Sequence, residues 1–198
     1  MDQPKVTKEI ALKILGLSTV EDSEKDLIDI LKFLLAGDNN KWREVFVSAL
    51  CDYSPTLAGK GYPDAHKKDS ELTCVDMKSG PIIMFPDGGN SIVEKYYWVC
   101  SVSQYNQFGD LLYIAEIEVK DIMDELVESA SKLVKNKQRV SPVVGWKTWF
   151  KKPSVKVLYK NQSLVDHYKQ GYSSNGETVP NTKPFWKELD SLPHESIL

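Results

Sequence analysis

The order of helical and strand signals predicts an α/β (α+β) fold: a single domain with a central mixed β-sheet flanked by helices. Three observations carry this expectation. Apolar residues keep a helical period up to Leu50. They change to β-branched and aromatic runs between Leu72 and Ile117. One further amphipathic helix then precedes a last short strand.

The elements follow in order. Leu27, Ile28, Ile30, Leu31, Leu34 and Leu35 give a helix from Asp22 to Leu35, stopped by Gly37. Asn39 or Asn40 caps a second helix, whose apolar face is Trp42, Val45, Phe46, Ala49 and Leu50. Ser54-Pro55 and Gly59-Lys60-Gly61 break the chain. Leu72 to Lys78 reads as a strand, and Ile82 to Phe85 as its continuation or a separate extended piece. Pro86-Asp87-Gly88-Gly89-Asn90 is a turn. Tyr96 to Tyr105 and Leu111 to Ile117 are strands joined by the loop Asn106 to Asp110. Asp121 opens a helix carrying Leu126, Val127, Ala130, Leu133 and Val134, and Val155 to Tyr159 is the last strand. From Gln170 onward the chain reads as irregular, with one helical turn near Phe185-Trp186. This divides the domain into an N-terminal helical region (1–58), a sheet core (59–160) and an irregular C-terminal region (161–198).

With 198 residues, 41% of them hydrophobic and 27% charged, the chain is long enough and apolar enough for a soluble globular core. No apolar run is long enough to span a bilayer, and no membrane partner is expected. The first residues carry no apolar stretch behind a basic patch, so no secretory leader is expected. Cys51, Cys74 and Cys100 are odd in number and widely spaced. They form neither a disulfide framework nor a zinc pattern, and read as buried thiols of a cytoplasmic protein.

The net charge of −3 hides an uneven distribution. From Ser129 to Val165 there is no acidic residue, while lysines recur through Lys132, Lys135, Lys137, Lys147, Lys151, Lys152, Lys156 and Lys160. Local charge sets the field that a polyanion meets. Lys147, Lys151, Lys152 and Lys156 are either candidate DNA-contacting cations or part of a solvated basic face. Trp146, Trp149 and Phe150, interleaved with them, read as core rings beside a basic loop.

The residues with chemistry in them lie just after the glycine-rich turn. Gly61-Tyr62-Pro63-Asp64 and Asp76-Met77-Lys78 are separated by eleven residues. Side chains alternate along a strand, so Asp76 and Lys78 share one face while Thr73, Val75 and Met77 take the other. If Asp64 starts the neighbouring strand, two carboxylates and a lysine meet at one sheet edge. Carboxylate oxygens suit Mg²⁺, a hard ion that keeps several waters and binds through one or two carboxylates plus substrate phosphate. A lysine beside them can serve an attacking water or neutralise charge on a phosphate. This is the equipment of phosphodiester hydrolysis.

Pro63-Asp64 with Asp76-Met77-Lys78 resembles the signature of the PD-(D/E)XK nucleases. Lys78-Ser79, the run Tyr96 to Val102, and the run Leu111 to Ile122 resemble type II restriction endonucleases, in particular their small blunt-cutting, EcoRV-like branch. The resemblance covers about Gly59 to Tyr159. It implies a restriction-endonuclease-like sheet, Mg²⁺ held by Asp64 and Asp76, Lys78 as the catalytic lysine, and double-stranded DNA as substrate. It also implies a homodimer that reads a palindrome with two identical halves. A glutamate on the helix before the signature often joins such a site, and Glu44 is the candidate.

Pro86-Asp87 with Glu118-Val119-Lys120 obeys the same spacing rule. It ranks lower, because Asp87 sits in turn chemistry and a whole strand intervenes. His66 reads as a solvated loop histidine and Glu71 as a surface charge. Ser173 to Gly176 and Asn181 to Lys183 offer groups able to read base edges. Two other readings stay open. One is a repair, recombination or phage nuclease of the same fold. The other is a non-catalytic nucleic-acid-binding or inhibitor protein in which the carboxylates are structural.

Overall fold

A computed structural model describes residues 7–14, 41–56, 62–85, 94–105, 110–138, 141–169 and 188–195. In chain order the described elements are α1 (Lys8–Ile14), α2 (Lys41–Leu50), β1 (Tyr53–Pro55), β2 (Ala65–Lys67), β3 (Ser70–Ser79) and β4 (Ile82–Met84). There follow β5 (Val99–Tyr105), β6 (Leu111–Glu118), a 3-10 turn (Val119–Ile122), α3 (Met123–Lys135), β7 (Val143–Gly145), α4 (Trp146–Trp149), β8 (Lys156–Lys160) and α5 (Gln162–Lys169). The central sheet has six strands in the order β1-β2-β3-β5-β6-β8, and β4 with β7 forms a small second sheet. The α+β class with a central sheet is thus as expected. The β1–β2, β2–β3, β5–β6 and β6–β8 ladders are antiparallel, and a parallel bridge joins Val157 to His194.

The chain divides into two compact units, residues 1–75 and 76–198, so the division falls inside β3. In the first unit, α2 buries Phe46 and Leu50 of its expected apolar face, but also Val47 and Ser48 outside it, while Val45 and Ala49 are only half-buried. The helix ends where Cys51 N–H donates to the Val47 carbonyl and Asp52 turns into the left-handed region at φ 57°. An aspartate tolerates that conformation better than most side chains. Lys68 and Lys8 lie 2.9 and 3.5 Å from its carboxylate. Ser54-Pro55, expected as a break, forms β1. Proline is admissible there because β1 is the edge strand of the sheet.

The second unit is built around β6. All but its last residue are buried, consistent with a strand covered on both faces and flanked by β5 and β8. Cys100 and Val102 of β5 join Tyr113, Ala115 and Ile117 of β6 in one core cluster with Ile122, Leu126, Val144, Trp149 and Phe150. Ser101 and Ser103 alternate with these residues and point to the opposite face. The helix α3 has Asp124 and Glu125 in its first turn and Lys132 and Lys135 in its last, matching its dipole.

Several boundaries differ from expectation. The strand expected from Tyr96 begins only at Val99, because the Trp98 N–H closes a turn on the Lys95 carbonyl and leaves Tyr96 and Tyr97 exposed. Ile82 to Met84 leaves the central sheet to pair with Val143 to Gly145, a strand that the sequence pattern did not reveal. The helix expected from Asp121 opens as a 3-10 turn and becomes α-helical at Met123. Cys100 is a buried thiol as expected, whereas Cys51 and Cys74 are only half-buried. The expected helix Asp22–Leu35, the turns at 57–61 and 86–90, the loop 106–109 and the turn near Phe185-Trp186 lie outside the described residues. Among the described residues no helix is long and apolar enough to cross a membrane.

Candidate active site

The strand β3 has the phase that its alternation predicts. Val75 is buried on one face, and Asp76 and Lys78 lie on the other. Asp76 is a buried acid, 7% exposed, and its Oδ2 stands 2.5 Å from the Nζ of Lys78. That contact is an ion pair that offsets part of the cost of burying the carboxylate, and Oδ2 has no further hydrogen-bond partner among the described residues. Carboxylate oxygens are hard donors, so the chemistry of Asp76 fits Mg²⁺.

Lys78 is held from a second side. Its Nζ lies 5.0 Å from the centroid of the Phe85 ring. Lys95 comes to the same ring at 4.8 Å, and also to the Trp98 ring at 4.9 Å. The end of β3 is tied down by backbone bonds. The Gly80 N–H donates to the Ser103 carbonyl at 2.8 Å, and the Ser103 hydroxyl donates to the Lys78 carbonyl at 3.4 Å. Gly80 takes φ 103°, a conformation that side chains disfavour. The indole N–H of fully buried Trp149 donates to the Pro81 carbonyl at 3.0 Å, fixing the next residue of the turn.

Asp64 and Glu44 belong to the first unit. Asp64 is half-buried, its N–H donates to the Val75 carbonyl at 3.0 Å, and its own carbonyl accepts the Thr56 N–H at 2.8 Å. Ala65 pairs with Val75 across the β2–β3 ladder, so Asp64 immediately precedes the strand neighbouring β3. Glu44 is half-buried in the first turn of α2. Among the described residues, no group of three or more His, Cys, Asp or Glu is gathered as a ligand cluster. His66 corrects an expectation: it is a half-buried residue of β2 rather than a solvated loop histidine. Its Nδ1 is 3.9 Å from the Sγ of Cys74, whose thiol pKa is raised by burial.

The rival triplet is arranged differently. Glu118 closes β6 and Lys120 lies in the 3-10 turn; the two are ion-paired, with about half of each side chain exposed. The Glu118 carboxylate, both as a hydrogen-bond partner and as a charge, raises the pKa of Lys120. Asp87 lies outside the described residues. Asp76 and Lys78, by contrast, are on one strand and largely screened from water.

The four candidate DNA lysines separate into two kinds. Lys147 and Lys151 are exposed, and Lys147 lies over the Trp146 ring. Lys152 pairs with Glu125 at 2.5 Å. Lys156 pairs with Glu195 at 2.7 Å and reaches Glu116 at 3.6 Å. Burial works against its charge, but Glu195 and Glu116 together raise its pKa. Trp149 and Phe150 are core rings as expected, and Trp146 packs against the same cluster.

Sequence reasoning missed Glu116, Lys95 and Phe85. Glu116 is 3% exposed in β6, opposite Ser101 on one side and Lys156 on the other. A lone acid inside the apolar run Leu111 to Ile117 was the available signal. For Lys95 it was a lysine abutting three consecutive aromatic residues. No protein-family model matches this chain, and no curated protein matches it.

Proposed function

We propose that the chain is a Mg²⁺-dependent nuclease of the PD-(D/E)XK kind, and within it a type II restriction endonuclease acting on double-stranded DNA. The observation that carries this reading is the Asp76–Lys78 pair. Both side chains are screened from water on one face of β3, where they form a close ammonium–carboxylate pair. The signature spacing adds Asp64 as the second metal carboxylate. Glu44 is a candidate fourth member from the resemblance alone.

When bound, Mg²⁺ would activate water and offset charge building on the phosphate. The protein's share is electrostatic and positional. Asp76 and Asp64 would hold the ion, with waters filling the remaining positions. Lys78, kept in place by Asp76 and the Phe85 ring, would orient the attacking water or neutralise a phosphate oxygen. Lys147 and Lys151, exposed on the surface, would track the phosphate backbone, which positions a duplex without reading its sequence. A homodimer in the cytoplasm, paired with a methyltransferase that spares the host, completes the restriction reading.

Digestion of a sequenced phage genome with Mg²⁺, followed by mapping of the ends, tests this. Discrete fragments with one common end sequence are expected. A random ladder would reject the sequence-specific part. Cleavage confined to junctions or mismatches would favour a repair or recombination nuclease. Absence of cleavage together with absence of Mg²⁺ or Mn²⁺ binding would favour a binding or inhibitor protein.

A further inference from the structure

In the second unit, the lysines around the sheet mostly have carboxylate partners. Lys78, Lys120, Lys152, Lys156 and Lys160 are each ion-paired. Lys95 is not: its half-buried side chain has no carboxylate partner among the described residues, and its ammonium group rests on the rings of Phe85 and Trp98. Aromatic faces hold a cation in place but do not cancel its charge. An ammonium group so held is positioned and still available to an anion.

The Phe85 ring also carries Lys78. Each nitrogen lies near 5 Å from that ring's centroid, so no more than about 10 Å separates them, roughly one Debye length at 0.1 M salt. Two cations at that spacing act together on an incoming polyanion. The Asp76 carboxylate compensates Lys78, and among the described residues no carboxylate does the same for Lys95. The neighbouring Tyr96 and Tyr97 are exposed, so the turn that carries Lys95 reaches the surface.

We propose that Lys95 is a phosphate-binding residue of this site, holding a backbone phosphate of the duplex beside the phosphate served by Lys78. The assignment rests on the nuclease reading above. It predicts a binding contribution, whereas a lysine that merely fills space over two rings would affect stability alone.

The test is equilibrium binding of a short mixed-sequence DNA duplex, with Ca²⁺ replacing Mg²⁺ to keep it uncut, across about 50–200 mM salt. Lys95→Gln is expected to bind about tenfold more weakly near 0.1 M salt. Its plot of log affinity against log salt should be shallower by about one. Lys95→Arg is expected to keep the wild-type slope. A Lys95→Gln slope equal to that of the wild type overturns the assignment, whatever the variant's thermal stability. If Lys95→Gln does not fold, the wild-type chain still decides the matter. Amine-directed modification read by mass spectrometry should be slowed at Lys95 by the duplex, and an unchanged rate overturns the proposal. The two levels separate cleanly. A wild-type chain with no salt-dependent duplex binding loses the nuclease reading and the Lys95 assignment together. If the wild type binds and cuts while Lys95→Gln keeps its slope, only the Lys95 assignment falls.

Discussion

Asp76 Oδ2 and Lys78 Nζ stand 2.5 Å apart on one face of β3, an ion pair largely screened from water. Placing the two charges close together offsets part of the cost of burying them, and the lone pairs left over are available to a cation. Asp76→Ala is therefore expected to reduce plasmid cleavage with Mg²⁺ by at least about a hundredfold, the scale of losing one electrostatic group in an active site. Mg²⁺ is expected to raise the unfolding temperature of the wild type, and the same variant should lose that rise. Cleavage at the wild-type rate would show that Asp76 is structural.

Lys156 and Glu116 invite a different prediction. Glu116 is buried opposite Ser101 on β6, and Lys156 reaches it from β8 while also meeting Glu195. Lys156→Met removes the cation that β8 brings to the buried carboxylate and should destabilise the fold by about 2 kcal/mol. Pairing that change with Glu116→Gln should recover most of the loss, which a double-mutant cycle in urea would measure. Lys147→Ala and Lys151→Ala, on exposed side chains, should stay within about 0.5 kcal/mol of the wild type. Their effect belongs in the salt dependence of DNA binding. A Lys156→Met protein as stable as the wild type would make Lys156 a surface cation like the other two.

How much of this was legible beforehand follows from the kind of information each feature needs. The phase of β3 was legible, because alternation of Thr73, Val75 and Met77 against Asp76 and Lys78 is a local property. The class of the fold and the core strand Leu111 to Ile117 were legible for the same reason. The pairing of Ile82 to Met84 with Val143 to Gly145 was not. It joins segments about sixty residues apart, and a three-residue strand has too few positions to display a period. The ionic partners of Lys152 and Lys156 were hidden too. Glu125 lies in an acidic segment that seemed remote from the basic stretch, and Glu195 lies in the expected irregular tail. A run without acidic residues describes the chain's sequence, and neutralisation happens in space. Lys95 was obscured by its aromatic neighbours, which read as strand until the turn at Trp98 places them before β5.

Asp52 gives a prediction with a definite sign. The hydrogen bond from Lys68 comes first among the influences that lower its pKa, with the charges of Lys68 and Lys8 adding to it against slight burial. A carboxylate lowered on folding contributes stability above its ordinary value. That contribution fades as pH falls through its folded value. Asp52→Asn removes the charge and keeps a side chain tolerant of φ 57°. The variant should be less stable than the wild type at pH 7, by under about 1 kcal/mol because the pair is exposed. The difference should shrink from about pH 4 downward. Urea unfolding at neutral and acid pH measures it, and a gap that widens in acid would contradict the assignment.

Gly80 connects the fold to the candidate site. It follows Ser79 at the end of β3 with φ 103°, and its N–H donates to the Ser103 carbonyl, whose own hydroxyl meets the Lys78 carbonyl. A methyl group at Gly80 would meet no atom within 4 Å. The penalty of Gly80→Ala is therefore conformational rather than steric, of the order of 1–2 kcal/mol. If the chain relieves that penalty by rotating the peptide, the bond to Ser103 is lost and the backbone at Lys78 shifts. Gly80→Ala is thus expected to lower cleavage more than its modest destabilisation alone would, through misplacement of Lys78. Gly80→Asn, a residue more tolerant of positive φ, should recover part of both losses. Unfolding curves and cleavage rates for the two variants check this. If Gly80→Ala lost stability but cut DNA at the wild-type rate, the turn would be shown to support the fold without positioning Lys78.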